Sequence, residues 1–101
     1  MFLVRSVFKV KFGHMDKVLA KLQAMAAESS GQTPLDRVLT DVSGSMFTIV
    51  FETKTESLDA HRERLMASFD EPEMAGAMAE IGQYFESGHN EYYNIEFEAE
   101  G

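Results

Sequence analysis

Residues 35–53, LDRVLTDVSGSMFTIVFET, decide the layout of the chain. Two runs rich in β-formers, Leu35 to Val42 and Ser45 to Thr53, flank Ser43-Gly44. A two-residue turn of this kind between strand-like runs signals a β-hairpin. In the second run Phe47, Ile49 and Phe51 share one face, while Met46, Thr48, Val50 and Glu52 share the other. A hairpin in the middle of a 101-residue chain makes the flanking segments decisive.

Upstream, Phe2 to Lys11 reads as a strand with Phe2, Val4, Ser6, Phe8 and Val10 on one face. Met15 to Glu28 reads as a helix, because Met15, Val18, Leu19, Leu22, Met25 and Ala26 recur along a single helical stripe. Ser29 to Pro34 is a loop. Downstream, a helical stretch runs from Thr55 to Ser87, capped by Thr53 or Thr55. Its first stripe is Leu58, His61, Leu65, Met66 and Phe69. Asp70-Glu71-Pro72-Glu73 predicts a break near Asp70, with Asp70 as the new cap and proline in a first turn. Met74, Met78, Ile81 and Phe85 then point inward, and Ser87-Gly88 ends the helix. Glu91 to Glu98 closes the chain as a strand. The order βαββαβ predicts a single ferredoxin-like α+β domain over residues 1–101, a four-stranded antiparallel sheet with helices on one side.

The two sheet faces differ. Phe2, Val4, Phe8, Val10, Phe47, Ile49, Phe51, Tyr93, Ile95 and Phe97 form the face expected to meet the helices. The other still carries Leu3, Val7, Leu39, Met46, Val50 and Tyr92. Leaving these six in water forgoes on the order of 10 kcal/mol, at roughly 1.5–3 kcal/mol each. Whole domains are stable by only about 5–15 kcal/mol. A second copy of the sheet is the simplest cover, which predicts a homodimer.

A net charge of −8 argues against nucleic acid or an anionic membrane surface as partner. The absence of cysteine removes disulfides and thiolate chemistry and fits a cytoplasmic, reducing compartment. The apolar start Met1-Phe2-Leu3-Val4 is cut by Arg5, so no signal peptide is expected, and no segment approaches a membrane span.

Val7-Phe8-Lys9-Val10-Lys11-Phe12-Gly13-His14-Met15-Asp16 resembles the strand-to-helix entry of the dimeric α+β barrel superfamily, in its NIPSNAP-like and antibiotic-biosynthesis-monooxygenase-like branches. Ser57-Leu58-Asp59-Ala60-His61-Arg62-Glu63-Arg64-Leu65 is similar to their second-helix start, and Asp70-Glu71-Pro72-Glu73-Met74 to the acidic turn after it in NIPSNAP-like chains. The resemblance implies two ferredoxin-like sheets paired into one barrel, and cofactor-independent chemistry, oxygenation or proton transfer, if there is chemistry at all. The chain has no tryptophan, a residue on which haem-degrading members rely, so a haem reading is weakened.

His61 is the first candidate for chemistry. It sits on the stripe expected to face the sheet, where a histidine can act as acid or base. A hydrogen-bonded histidine at the domain rim is the alternative. His14 and His89 sit next to Gly13 and Gly88, at element ends, and the three histidines lack metal-ligand spacing. Tyr93, Phe8, Phe51, Met66 and Phe85 are the candidate lining of a pocket between helices and sheet for a small apolar or aromatic molecule; core packing is their alternative role. A buried His61 beside an open cavity would favour an enzyme. A space filled by Phe8, Phe51, Phe85 and the methionines would favour a non-catalytic ligand sensor or interaction scaffold. Glu96, Glu98 and Glu100 are expected to pair with Arg5, Lys9 and Arg37 across the sheet.

Overall fold

The computed structural model describes residues 1–28, 35–44 and 46–99. Its elements are β1 (Phe2–Val10), α1 (Met15–Glu28), β2 (Arg37–Thr40), β3 (Thr48–Thr55), α2 (Leu58–Phe69), α3 (Pro72–Gly82) and β4 (Phe85–Asn94). The strands form one antiparallel sheet in the order β2-β3-β1-β4. This is the ferredoxin-like βαββαβ arrangement with its second helix broken in two. The loop expected over Ser29–Pro34 lies outside the described residues, as does Ser45.

α1 follows its stripe. Val18 is fully buried against Val10, Ile49 and Phe51, and Met15, Leu19 and Leu22 pack around it. Gly13 takes φ of +81°, a conformation that suits glycine, and turns the chain from β1 into the helix. The break near Asp70 is present. Asp70 ends α2, and Pro72 stands in the first turn of α3, where its missing N–H leaves no helical bond unmade.

Four details correct the sequence reading. Ser57, and neither Thr53 nor Thr55, caps α2, its Oγ accepting the Ala60 N–H at 3.2 Å; Glu71, and not Asp70, precedes α3. Second, α2 does not bury its apolar stripe. Arg64 Nη2 donates to Thr55 Oγ1 at 2.8 Å, and this bond with the Ser57 cap turns the Ala60, His61 and Ser68 side toward the body. Leu58, Leu65, Met66 and Phe69 stay exposed. Third, the hairpin loop is longer than two residues. Asp41 Oδ1 accepts the Thr48 N–H at 2.9 Å and closes it. Phe47 is not on a strand; it takes φ of +59° in the loop and meets Phe12 edge-on at 5.2 Å.

The fourth correction has the largest consequences. α3 stops at Gly82, not at Ser87-Gly88, and β4 begins at Phe85. Gly88 lies in the strand opposite Phe8, whose ring covers it; a Cβ there would sit 2.3 Å from Phe8 Cδ1. The register shifts between Lys9 and Val10, so that Lys9 pairs with Ser87 and Val10 with Phe85. That bulge returns Phe85 to the helix side of the sheet, where it stacks on Phe8 at 4.5 Å. It also fixes the two tyrosines. Tyr92 pairs with Val4 on the helix-facing side and Tyr93 with Leu3 on the other, the reverse of the expected placement.

Candidate functional site

Strand register arranges the second sheet face in rows that cross the strands. Leu39, Val50, Val7 and His89 form one row from β2 to β4. The next is Arg37, Glu52, Arg5 and Glu91, positive and negative in alternation. A third brings together Lys54, Leu3 and Tyr93. The helices pack on the opposite face, against Val10, Ile49 and Phe51. Directly opposed side chains of unlike charge stabilise a sheet, and here they run its full width.

Glu52 is the hub. It is 4% exposed. Arg37 Nε donates to its Oε1 at 2.8 Å and Arg37 Nη2 contacts the same oxygen. Arg5 Nε stands 3.1 Å from Oε2 as an ion pair, off the line of a hydrogen bond. Arg5 Nη1 turns to Glu91 Oε1 at 3.3 Å. Glu91 also accepts from Tyr93 Oη at 3.1 Å and lies 3.0 Å from His89 Nε2 through its other oxygen. The hydrogen bonds from His89 and Tyr93, with help from Arg5, hold the Glu91 carboxyl below the usual carboxylate range. The arginine partners are Glu52 and Glu91, in place of the expected Glu96 and Glu98; Lys54 takes Glu98 at 2.6 Å, and Glu100 lies outside the described residues.

Residues after β4 run over one end of this face. Ile95 N donates to Met1 O, and Ile95 and Glu98 close a cleft of about 610 Å³ with Leu3, Asp36, Arg37, Glu52 and Lys54. The face thus combines an apolar row, a compensated ion ladder and a hydrogen-bonded Tyr93–Glu91–His89 array.

The structure separates the residues that the sequence grouped. Phe8, Phe51 and Phe85 stack on one another, with centroids 4.5 to 6.5 Å apart, and Met15 packs beside them. That is the filled arrangement associated above with a scaffold. Met66 is 58% exposed on α2, at a charged groove with Asp59, Arg62, Glu63 and Asp70. Tyr93 lies across the sheet from the three phenylalanines. His61 is half-buried, and burial and the nearby Arg64 charge lower its pKa. His14 stacks on Tyr84 at 4.8 Å. Among the described residues no group of three His, Asp or Glu could hold a metal ion, and no helix is long and apolar enough to cross a membrane.

The Tyr93–Glu91–His89 array was hidden because the strand appeared to begin at Glu91. Alternation at positions 89, 91 and 93 is the signal that exposes it once β4 is extended back through Gly88.

The sequence matches no family model and no curated protein. Its fold does match solved structures. A NIPSNAP family protein from Agrobacterium tumefaciens superposes with a TM-score of 0.83 at 15% identity, covering 96% of this chain and 88% of that one. A NIPSNAP domain protein from Burkholderia xenovorans gives 0.78 at 20% identity, over 99% and 100%. A proposed antibiotic biosynthesis monooxygenase from Nitrosomonas europaea gives 0.69 at 11% identity, over 96% and 100%. The resemblance drawn from short motifs thus holds at the level of the fold. The chain has the ferredoxin-like α+β fold that NIPSNAP proteins and antibiotic biosynthesis monooxygenases share.

Proposed function

We propose that the chain is a homodimer whose two open sheet faces close on each other as a barrel, and that the barrel interior binds a small apolar or aromatic molecule. The row-by-row composition of the open face carries this reading. Leu3, Val7, Leu39 and Val50 lie on it beside an ion ladder with as many carboxylates as guanidiniums. Compensated charges tolerate removal from water far better than unpaired ones. The chain carries −8 overall, yet this ladder is neutral within itself, so the seam adds no like-charge contacts of its own. The fold likeness to a proposed monooxygenase supports chemistry on a small molecule. The filled Phe8–Phe51–Phe85 space supports the rival, a non-catalytic sensor or scaffold, only for the helix side of the sheet.

Thermal melting with a panel of quinones, phenols and other small aromatic compounds tests the binding claim, since a ligand of the native state raises the midpoint. At least one compound is expected to stabilise the wild type and to lose its effect in Leu39→Glu, which sets a carboxylate in the apolar row. Equal stabilisation of both proteins contradicts the open face as the site. A panel that stabilises neither favours the scaffold.

A further inference from the structure

We propose that His89 is a general base on the open sheet face, acting on a neutral carbon or oxygen acid bound over the apolar row. This rests on the small-molecule reading above and names the chemistry of that site.

Glu91 orients the histidine. Its carboxylate takes three groups: Tyr93 Oη–H and Arg5 Nη1–H on Oε1, and His89 on Oε2 at 3.0 Å. An ionised carboxylate can only accept, so Nε2 of His89 must carry the hydrogen that the bond needs. The tautomer is thereby fixed, and the free lone pair belongs to Nδ1. Among the described residues Nδ1 makes no hydrogen bond. A histidine oriented by a carboxylate, with its other nitrogen open, is the arrangement general-base catalysis requires.

The surroundings fit the task. His89 ends the apolar row after Leu39, Val50 and Val7. The charged and titratable groups facing it are Arg5 and Lys9 from β1, on either side of Val7, and Glu91 and Tyr93 from its own strand. β4 is an edge strand, and among the described residues no further strand flanks it. In the step itself a C–H or O–H bond of the ligand breaks and an N–H bond forms at Nδ1. The electron pair stays on the ligand as an enolate, carbanion or oxyanion, and no oxidant is consumed. The imidazolium is paired with Glu91. The His89 side chain is 60% exposed in the single chain, so its ring is open on the face where the ligand would sit.

The probe is 5-nitrobenzisoxazole. Loss of its ring C–H proton drives the electron pair into a nitrile, breaks the N–O bond and releases a coloured nitrophenolate. Wild-type protein should open it faster than buffer. His89→Gln should lose about tenfold or more, the lower end of what a positioned base contributes. Glu91→Gln should keep part of the rate with an altered pH profile. His14→Gln, on the other side of the sheet, should match wild type. A His89→Gln protein as fast as wild type overturns the proposal, and so does a wild type no faster than buffer. Light scattering on the same samples separates the two claims. A dimer without acceleration contradicts the base and leaves the barrel standing. A monomer that accelerates through His89 supports the base and contradicts the barrel.

Discussion

His61 and Glu91 both have lowered pKa values, and each therefore contributes stability that is lost as the pH falls. Burial, and then the Arg64 charge, disfavour protonated His61 in the folded chain. Its folded pKa lies below the ordinary histidine value of 6.5, so the unfolded state takes up the proton first. Stability from this group is full above 6.5 and falls as the pH drops from there through the folded pKa. Glu91, depressed by its bonds to His89 and Tyr93, contributes stability that is present above 4.5 and is lost as the pH falls through its folded value. Thermal melting of wild type and His61→Gln on acidification through 6.5 should show a falling midpoint in the wild type and a flatter one in the variant. Parallel curves would contradict a desolvated His61. At this scale the sequence was legible in residue type and not in address. His61 lay on an apolar stripe, but in the structure His61 is half-buried while Leu58, Leu65, Met66 and Phe69 of that stripe are exposed.

Among the elements, β4 shows why the site was harder to read than the fold. Ser87-Gly88 has the composition of a helix stop, and Tyr84 and Phe85 suit a helix face as well as a strand. What makes Gly88 necessary is a ring on the neighbouring strand, and no local pattern displays that. Gly88→Ala should therefore be costly. Phe8 is held by Phe85 at 4.5 Å and Phe51 at 5.6 Å, so it cannot simply swing away from the new Cβ. A loss of about 1–3 kcal/mol is expected from such overpacking, read by urea denaturation. An unchanged midpoint would show that the phenylalanine stack yields freely. α1, by contrast, was legible to the residue, because its stripe of Met15, Val18, Leu19 and Leu22 meets the sheet as its spacing requires.

For the whole molecule, element order alone was enough to predict the four-stranded sheet, since βαββαβ leaves few ways to pair strands without crossing connections. Most of the second face was legible too: Leu3, Arg5, Val7, Leu39, Val50 and Glu52 lie on it as their alternation requires. Met46 went to the loop and Tyr92 to the helix side, while Tyr93 and Glu91 came onto the open face. The register of β4 made the exchange of its own residues. The result is a face more polar than a simple greasy seam, and its ion ladder is neutral within itself.

The central claim is that this face closes on a second copy. Light scattering coupled to gel filtration at micromolar protein measures it directly. The expected mass is about twice the 11.3 kDa of the chain, falling to the chain mass or to unfolded protein when Val50→Lys sets an unpaired ammonium in the apolar row. A wild type that elutes and scatters as a folded 11.3 kDa monomer would contradict the account.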